Sequence, residues 1–486
     1  MNLLWSLLDS VWSLLGAFVW LIEPLAKVVF VLLILLSFAP VLTWAERRQS
    51  AMMQDRVGPY KAGVLLPGPV VNMVPAAAFG ALLVAITLGL IALGSFVAMV
   101  LPPILGYAGM ADDVIGPFRV GTIFFLCAIL APLHYGIARI LPSLFDGNYL
   151  TAYGLIHPLA DVIKMLWKED FMPPRADKLL FSLAPIIAVI PAFATFAVIP
   201  FGPTVYWEHL FRPLPDGGDL GIASILQVAS INVGILYIFA VAGTGIVGAA
   251  IAGYSSDNKY SLLGGLRAAS QMVSYEVTLG LSVVGCFMVY DSLLLQDMVA
   301  WQMDNVWGIF VQPLAFVMFF TASIAEYKRI PFDAPEGESE LAAGYFLEYS
   351  STKWVMFMTG EFIEVVVSAA IISTLFLGGY DVPFLTAHGW EAFGYRFDLG
   401  ATDSSTLRQF HVISDVMNSH MAVVLIQIGA FIMKMIALCW LSLQVRWTLP
   451  RFRYDQIMSL CWKVLLPASL ANILITGVVI LFFQTL

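Results

Sequence analysis

The chain has 486 residues, of which 60% are hydrophobic and only 12% charged, and its mean hydropathy is +0.87. That balance excludes a soluble globular class and places the protein among polytopic membrane proteins. The formal charge of -9 points to no nucleic-acid partner, and in a membrane protein it says less than the side on which each charge lies.

Residues 1–23 set Trp5, Trp12 and Trp20 among apolar residues around Asp9, which predicts an interfacial helix closed by Glu23-Pro24. A span follows over about 25–45, with Lys27 placed to snorkel, and it ends at Glu46-Arg47-Arg48. Further apolar runs lie near 79–105, 119–141, 180–200, 227–253, 269–290, 309–325, 351–377, 420–446 and 462–484. Ten spans and an all-α polytopic fold are therefore predicted. Alternate loops can be checked against the basic residues. Eighteen Lys and Arg fall on one set of loops and only four, Arg119, Arg212, Arg396 and Arg408, on the other, with Lys27 and Lys434 inside spans. By the positive-inside rule the richer set is cytoplasmic, with both termini and the loops around 112, 212, 297 and 398 outside. Cys127, Cys286, Cys439 and Cys461 stand alone near apolar runs, so neither an iron-sulfur cluster nor another metal site is expected in this chain.

The most polar passage is 326–348, EYKRIPFDAPEGESELAAGYFLE, on the cytoplasmic side. Glu326, Asp333, Glu336, Glu338, Glu340 and Glu348 face only Lys328 and Arg329 within it. Carboxylates this dense repel one another, so some hold a proton near neutral pH or draw cations from elsewhere in the fold. Charges inside spans add to the pattern: Glu276, Glu361, Glu364 and Lys434 each interrupt an apolar run, at a cost of about 2.5–3.5 kcal/mol at a helix centre. Each is expected to face the bundle interior, as buried ion pairs with Lys434 partnering one glutamate or as an ion path. Glu361 and Glu364 share a helical face.

Other motifs have plainer readings. Gly243-Thr-Gly245-Ile-Val-Gly248 spells GxGxxG, but inside a span, without a preceding strand or a ribose-holding acid, it reads as close helix packing. Glu46-Arg47-Arg48-Gln49 with Gln54 to Pro59 reads as a packed polar turn at the membrane edge rather than as scattered anchors. Asp161, Lys164 and Lys168 fall on one helical face by i, i+3 and i+4 spacing, where an ion-paired surface is the simplest reading. Arg446 to Gln456 is a basic loop suited to anchoring or to balancing the acids.

Together these passages carry a resemblance. Ala45-Glu46-Arg47-Arg48 with Gln54 to Pro59, Ala160-Asp161 to Glu169, Ser256 to Leu263 with Arg267, Ser274-Tyr275-Glu276, Pro331 to Leu341, Glu348-Tyr349, Gly360-Glu361 and Pro450 to Gln456 recur in order through nearly the whole chain. In them the sequence is similar to the H-type membrane subunit of NADH:quinone oxidoreductase, respiratory complex I. The resemblance implies an eight-helix core and a narrow quinone chamber opening toward an iron-sulfur cluster held by a neighbouring subunit. Glu46, Arg47, Arg48, Asp161, Lys164, Asp333, Glu336, Glu338 and Glu340 would border the chamber. Glu276, Glu326, Glu348 and Glu361, with Lys434, would form a proton-coupling path toward antiporter-like membrane subunits. Arg451 and Arg453 would dock the peripheral arm and its quinone-site subunits. The substrate implied is ubiquinone or menaquinone, with no covalently bound cofactor, in the inner membrane of a prokaryote and in contact with membrane lipid.

Three departures from the family stand out. Roughly ninety residues are inserted between Gly63 and about Tyr153, including the spans at 79–105 and 119–141, so the ten spans are the family's eight plus two. The segments are then the N-terminal helix 1–23, a first span and loop 24–63, an inserted helical pair 64–153, and a seven-span remainder 154–486. His157 stands where Gln is usual, and Tyr327-Lys328 where Thr-Asn is commoner, which adds a cation beside the acids. The outer loop 380–419 is also long. A related membrane subunit of an energy-converting hydrogenase or ferredoxin-linked complex is the nearest alternative. A stand-alone ion transporter would be expected to show paired internal repeats, which the sequence lacks.

Overall fold

In the computed structural model, residues 2–59, 62–65, 145–146, 149–206, 223–383, 385–386, 389–392, 395–396 and 420–485 are described, with a few isolated positions between 84 and 136. The predicted spans at 79–105 and 119–141, and residues 397–419 of the outer loop, lie outside the described residues. The chain falls into two compact units, residues 43–164 and residues 1–42 with 165–486.

Among the described residues seven helices are long and apolar enough to cross a membrane. The first lies in α1 (Asn2–Met53), followed by α3 (Lys178–Thr195), α4 (Gly234–Ser255) and α5 (Lys259–Tyr290). The others are α8 (Ser351–Phe376), α9 (His420–Thr448), and α10 (Tyr454–Leu460) running through a π-helical turn into α11 (Leu466–Thr485). Three shorter helices complete the numbering: α2 (His157–Leu166), α6 (Leu295–Asp304) and α7 (Pro313–Glu326). Counting the apolar α7, eight helices stand at the eight core positions read from the sequence. The protein is an all-α polytopic membrane protein. Its strands are minor: β1 (Val64–Leu65), β2 (Phe145–Asp146) and β3 (Tyr149–Leu150) in one small sheet, β4 (Thr204–Tyr206) antiparallel to β5 (Ala223–Ile225), and β6 (Leu385–Thr386), β7 (Gly389–Ala392) and β8 (Tyr395–Arg396) in a third.

Two boundaries differ from expectation. Glu23-Pro24 does not close a separate N-terminal helix; α1 runs through Pro24 and Pro40 without interruption. Nor does the helix stop where its apolar run does, at Glu46, because Glu, Arg and Gln are good helix formers and carry it to Met53. Elsewhere local chemistry sets the ends. The Asp177 carboxylate accepts from the Leu179 and Leu180 amides at 3.1 and 3.2 Å and starts α3. Asn258 accepts from the Tyr260 amide at 3.0 Å and starts α5 about ten residues ahead of the apolar run.

Small residues let the core helices approach. A Cβ built on Gly248 of α4 would lie 2.6 Å from the Ala188 backbone nitrogen of α3, so the GxGxxG run serves helix packing. α4 packs in turn on α5, α5 on α7 and α11, and α8 on α3 and α9. The largest buried side chains include Tyr275, Tyr345, Phe181, Phe319 and Phe376. Leu33, Leu474 and Val478 are exposed apolar side chains on the helices, as hydrocarbon-facing positions require.

Candidate functional site

The acidic passage folds into the core instead of lying over it. Aromatic burial draws it in: Tyr345, Phe346 and Tyr349 pack with Phe181, Ala252, Ala268 and Phe357, and the Phe181 and Tyr349 rings stack with centroids 4.0 Å apart. Gly344 takes φ +59°, and a Cβ there would lie 1.9 Å from the Pro335 carbonyl oxygen, so only glycine allows this turn. Gln271 on α5 fastens the start of the loop, its Nε2 donating to the Ala325 and Phe332 carbonyls at 2.9 and 2.7 Å. The Phe452 amide donates to the Pro331 carbonyl at 3.0 Å, and the Ser261 hydroxyl to the Tyr345 carbonyl at 2.9 Å.

This packing gathers acids and bases away from water. Lys328 is 5% exposed, Asp333 4% and Glu361 2%. The Tyr345 hydroxyl donates to Glu361 Oε1 at 2.9 Å, and Arg329 Nη2 lies 3.6 Å from Glu361 Oε2 with its guanidinium 4.3 Å above the Phe362 ring. Lys328 Nζ lies 3.6 Å from Glu364 Oε2, and Arg451 Nη2 donates to Asp333 Oδ2 at 2.5 Å. Burial pushes Asp333 up to about 6 even with Arg451 beside it. Burial, reinforced by Glu361 and Asp333, raises Glu336 well above the ordinary carboxylate value. Lys328 stays a cation: burial would lower it, but Glu364, Glu361, Glu326 and Glu336 outweigh that and raise it. The arrangement can take up and release protons near neutral pH.

The other residues singled out in the sequence lie around this cluster or in the second unit. Glu340 is exposed and accepts from Arg267 Nη1 at 2.7 Å, and Glu348 accepts from Asn258 Nδ2 at 2.6 Å. The side chain of Glu338 is outside the described residues; its backbone begins the short helical turn Glu338–Leu341. Glu276 sits against α4, its Oε1 2.7 Å from where a Cβ on Gly243 would be, so glycine there makes room for the acid. Arg453 pairs locally with Asp455 at 2.9 Å and is largely exposed, whereas Arg451, with a side chain 31% exposed, pairs with Asp333.

Among the described residues Lys434 does not partner a glutamate. Its ammonium donates to the Leu377, Gly379 and Asp381 carbonyls at 2.6, 3.0 and 2.6 Å, capping the turn after α8. Leu377 is sixteen residues beyond Glu361, about 24 Å along a helix at 1.5 Å per residue, so the structure does not bring Lys434 to that acid. In the unit of residues 43–164, Arg47 hydrogen-bonds Asp161, Lys164 Nζ lies 3.9 Å from Asp161 Oδ1, and Arg48 packs over Gly58. Glu46 is half-buried on α1. His157 Nε2 accepts from the Ala62 amide at 3.3 Å. Lys168 leaves the predicted face, because α2 ends at Leu166. Two residues of the site were not anticipated, Tyr345 and Gln271; the Gly344-Tyr345-Phe346 run was the available signal for the first.

A family profile described as NADH dehydrogenase matches residues 145–477. The H-type subunit numbered 1 of the NADH-quinone oxidoreductase of Geobacter sulfurreducens is 43% identical over 329 residues, 68% of this chain and 83% of the relative. The H-type subunit numbered 2 of the same organism is 40% identical over 379 residues, 77% of this chain and 99% of the relative. The H-type subunit of Bacillus thuringiensis is 40% identical over 370 residues, 74% and 92% of the two chains. With a profile match over more than half its length and relatives this similar, the chain belongs to the family of H-type membrane subunits of NADH-quinone oxidoreductase.

Proposed function

We propose that the protein helps to position quinone for reduction in a proton-pumping NADH:quinone oxidoreductase and couples that reduction to proton translocation. One observation carries this reading: five acids, Glu326, Asp333, Glu336, Glu361 and Glu364, are gathered around Lys328, Arg329 and Arg451 in a packed core. Reducing a quinone to a quinol takes two electrons and two protons. In this reading the electrons come from an iron-sulfur cluster in a neighbouring subunit, and this chain's residues orient the ring and manage protonation. Asp333, Glu336, Glu338 and Glu340 border the chamber, as do Glu46, Arg47, Arg48, Asp161 and Lys164 in their own unit. Glu276, Glu326, Glu348 and Glu361 continue the path toward antiporter-like subunits. Arg453 is the better docking residue for the peripheral arm, since Arg451 is committed to Asp333. The split of basic residues supports both termini on the outer side of a prokaryotic inner membrane.

The test is Glu336→Gln in the otherwise intact complex. Glu336 is half-buried and its proton affinity is raised by desolvation and then by Glu361 and Asp333, so the amide removes a titrating group without adding a charge. NADH:quinone reduction and proton pumping are expected to fall at least tenfold while NADH oxidation by an artificial acceptor persists. Unchanged quinone reduction and pumping would refute the reading.

A further inference from the structure

Two opposite charges beside the acid cluster, Lys328 and Glu364, approach one another. Lys328, whose side chain is 6% exposed, lies 3.6 Å from Glu364, whose side chain is 21% exposed, and the two form an ion pair at the edge of the cluster. The backbone at Lys328 has φ +56°, the left-handed region that Asn tolerates better than lysine. A long cation held at such a position marks a local choice against backbone preference.

Glu364 and Glu326 also line one cavity. It measures about 60 Å³ and lies among α3, α4, α5, α7 and α8, with Ser323, Thr195 and Ser368 as the other polar lining residues. This exceeds the roughly 10–15 Å³ that a single water needs, so the cavity has room for water. Ser323 Oγ, Glu326 Oε2 and Glu364 Oε2 are buried with no hydrogen-bond partner among the described residues, and in a mostly apolar lining these are the atoms that a cavity water would satisfy.

We propose that Glu364 is an additional proton-carrying residue of the acid path, exchanging protons with Glu326 through water in this cavity, and that Lys328 is the positioning cation that holds its carboxylate there. In the exchange the Glu326 carboxyl gives its proton to a water and that water gives another to Glu364. Glu326 ends as carboxylate and Glu364 as neutral acid, and only O–H bonds change. Lys328 remains charged throughout, facing Glu326, Glu336 and Glu361 as well as Glu364. The proposal rests on the coupling role given above.

The experiment uses the intact complex in native membranes and reads quinone reduction, protons pumped per electron pair, and NADH oxidation by an artificial acceptor. Glu364→Gln is expected to lower pumping-coupled quinone reduction at least fivefold, and the charge-balanced double variant Lys328→Asn/Glu364→Gln to remain low. Recovery of wild-type pumping in the double variant would make the pair structural and overturn the proposal. Glu364→Asp keeps the charge balance and is expected to retain pumping; if it behaves like Glu364→Gln, the carboxyl carries no proton and the proposal also fails. Glu361→Gln run alongside separates the two readings: normal pumping there removes the coupling role itself, whereas loss there with recovery in the double variant removes only Glu364.

Discussion

Replacing Arg451 by glutamine tests how the loop sets its own proton affinity. Asp333 is buried, accepts from Arg451 at 2.5 Å, and already titrates at about 6. A hydrogen bond to a charged group contributes about 1.5–3 kcal/mol, and at 1.36 kcal/mol per unit its loss raises a carboxyl by roughly one to two units. Asp333 then moves from about 6 to a value near 7–8 on that arithmetic. At pH 7 the wild-type group is about nine-tenths ionised, and the variant between about half and one-tenth. If ionised Asp333 is needed in quinone reduction, the acid limb of the rate profile moves to higher pH by one to two units. The assay is NADH:quinone reductase activity in inverted membrane vesicles from pH 5 to 9, scaled by the artificial-acceptor rate. Arg451→Lys keeps a cation and should shift the limb less, and Arg453→Gln, whose partner is the exposed Asp455, should not shift it. An acid limb in Arg451→Gln that superimposes on wild type, with assembly intact, would refute the reasoning.

Two further outcomes follow from the packing. Gly344→Ala places a Cβ 1.9 Å from the Pro335 carbonyl oxygen at φ +59°, so the subunit should disappear from membranes by immunoblot; a wild-type amount would show that the turn can open. Lys434→Met removes the donor of three carbonyls and should lower the melting temperature of the complex, at about 1–3 kcal/mol for buried acceptors left unmade. If Lys434 only caps this turn, the pH profile of quinone reduction should stay where it is, and a displaced profile would favour its expected place in the proton path.

Much of the architecture was legible because a bilayer imposes one solution on apolar runs of about twenty residues. Seven of the eight core spans appear among the described residues as helices long enough to cross, the eighth position holding the shorter apolar α7, and the Gly243 to Gly248 run packs helices as its apolar setting implied. Charged residues were harder to read. Hydropathy cannot show that α1 continues past Glu46, since helix propensity and apolarity are separate properties. Spacing put Lys168 on a face, but the helix ends two residues before it. Lys434 looked like a counter-ion for a glutamate because both interrupt apolar runs; three carbonyls at the end of α8 satisfy it instead. The site's own fastenings join residues far apart in sequence, Gln271 to Phe332 and Arg451 to Asp333, and no local pattern announces such pairs.

The charge balance of the core explains why the acids can respond to chemistry nearby. Five buried or half-buried carboxyl groups, Glu326, Asp333, Glu336, Glu361 and Glu364, are gathered with Lys328 and Arg329, while the more exposed Arg451 pairs with Asp333 and Arg446 also acts on it. Four cations cannot neutralise five carboxylates, and burial makes an uncompensated charge costly, so the cluster favours holding at least one proton. Glu336 is raised well above the ordinary carboxylate value and Asp333 to about 6, so of these two Glu336 takes that proton first. In the proposed role an anionic quinone species adds one negative charge. At about 10 Å and an effective dielectric constant of about 20, its repulsion is roughly 1.7 kcal/mol, or about 1.2 units on a carboxyl. That is enough to carry Asp333 from about 6 to about pH 7 and so to draw a proton into the loop. A cluster of fully exposed acids would be screened from the same charge over a Debye length of about 8 Å. In the proposed role, burial of the loop beside Phe181, Tyr345 and Tyr349 would therefore be what lets a redox event register as a change of protonation.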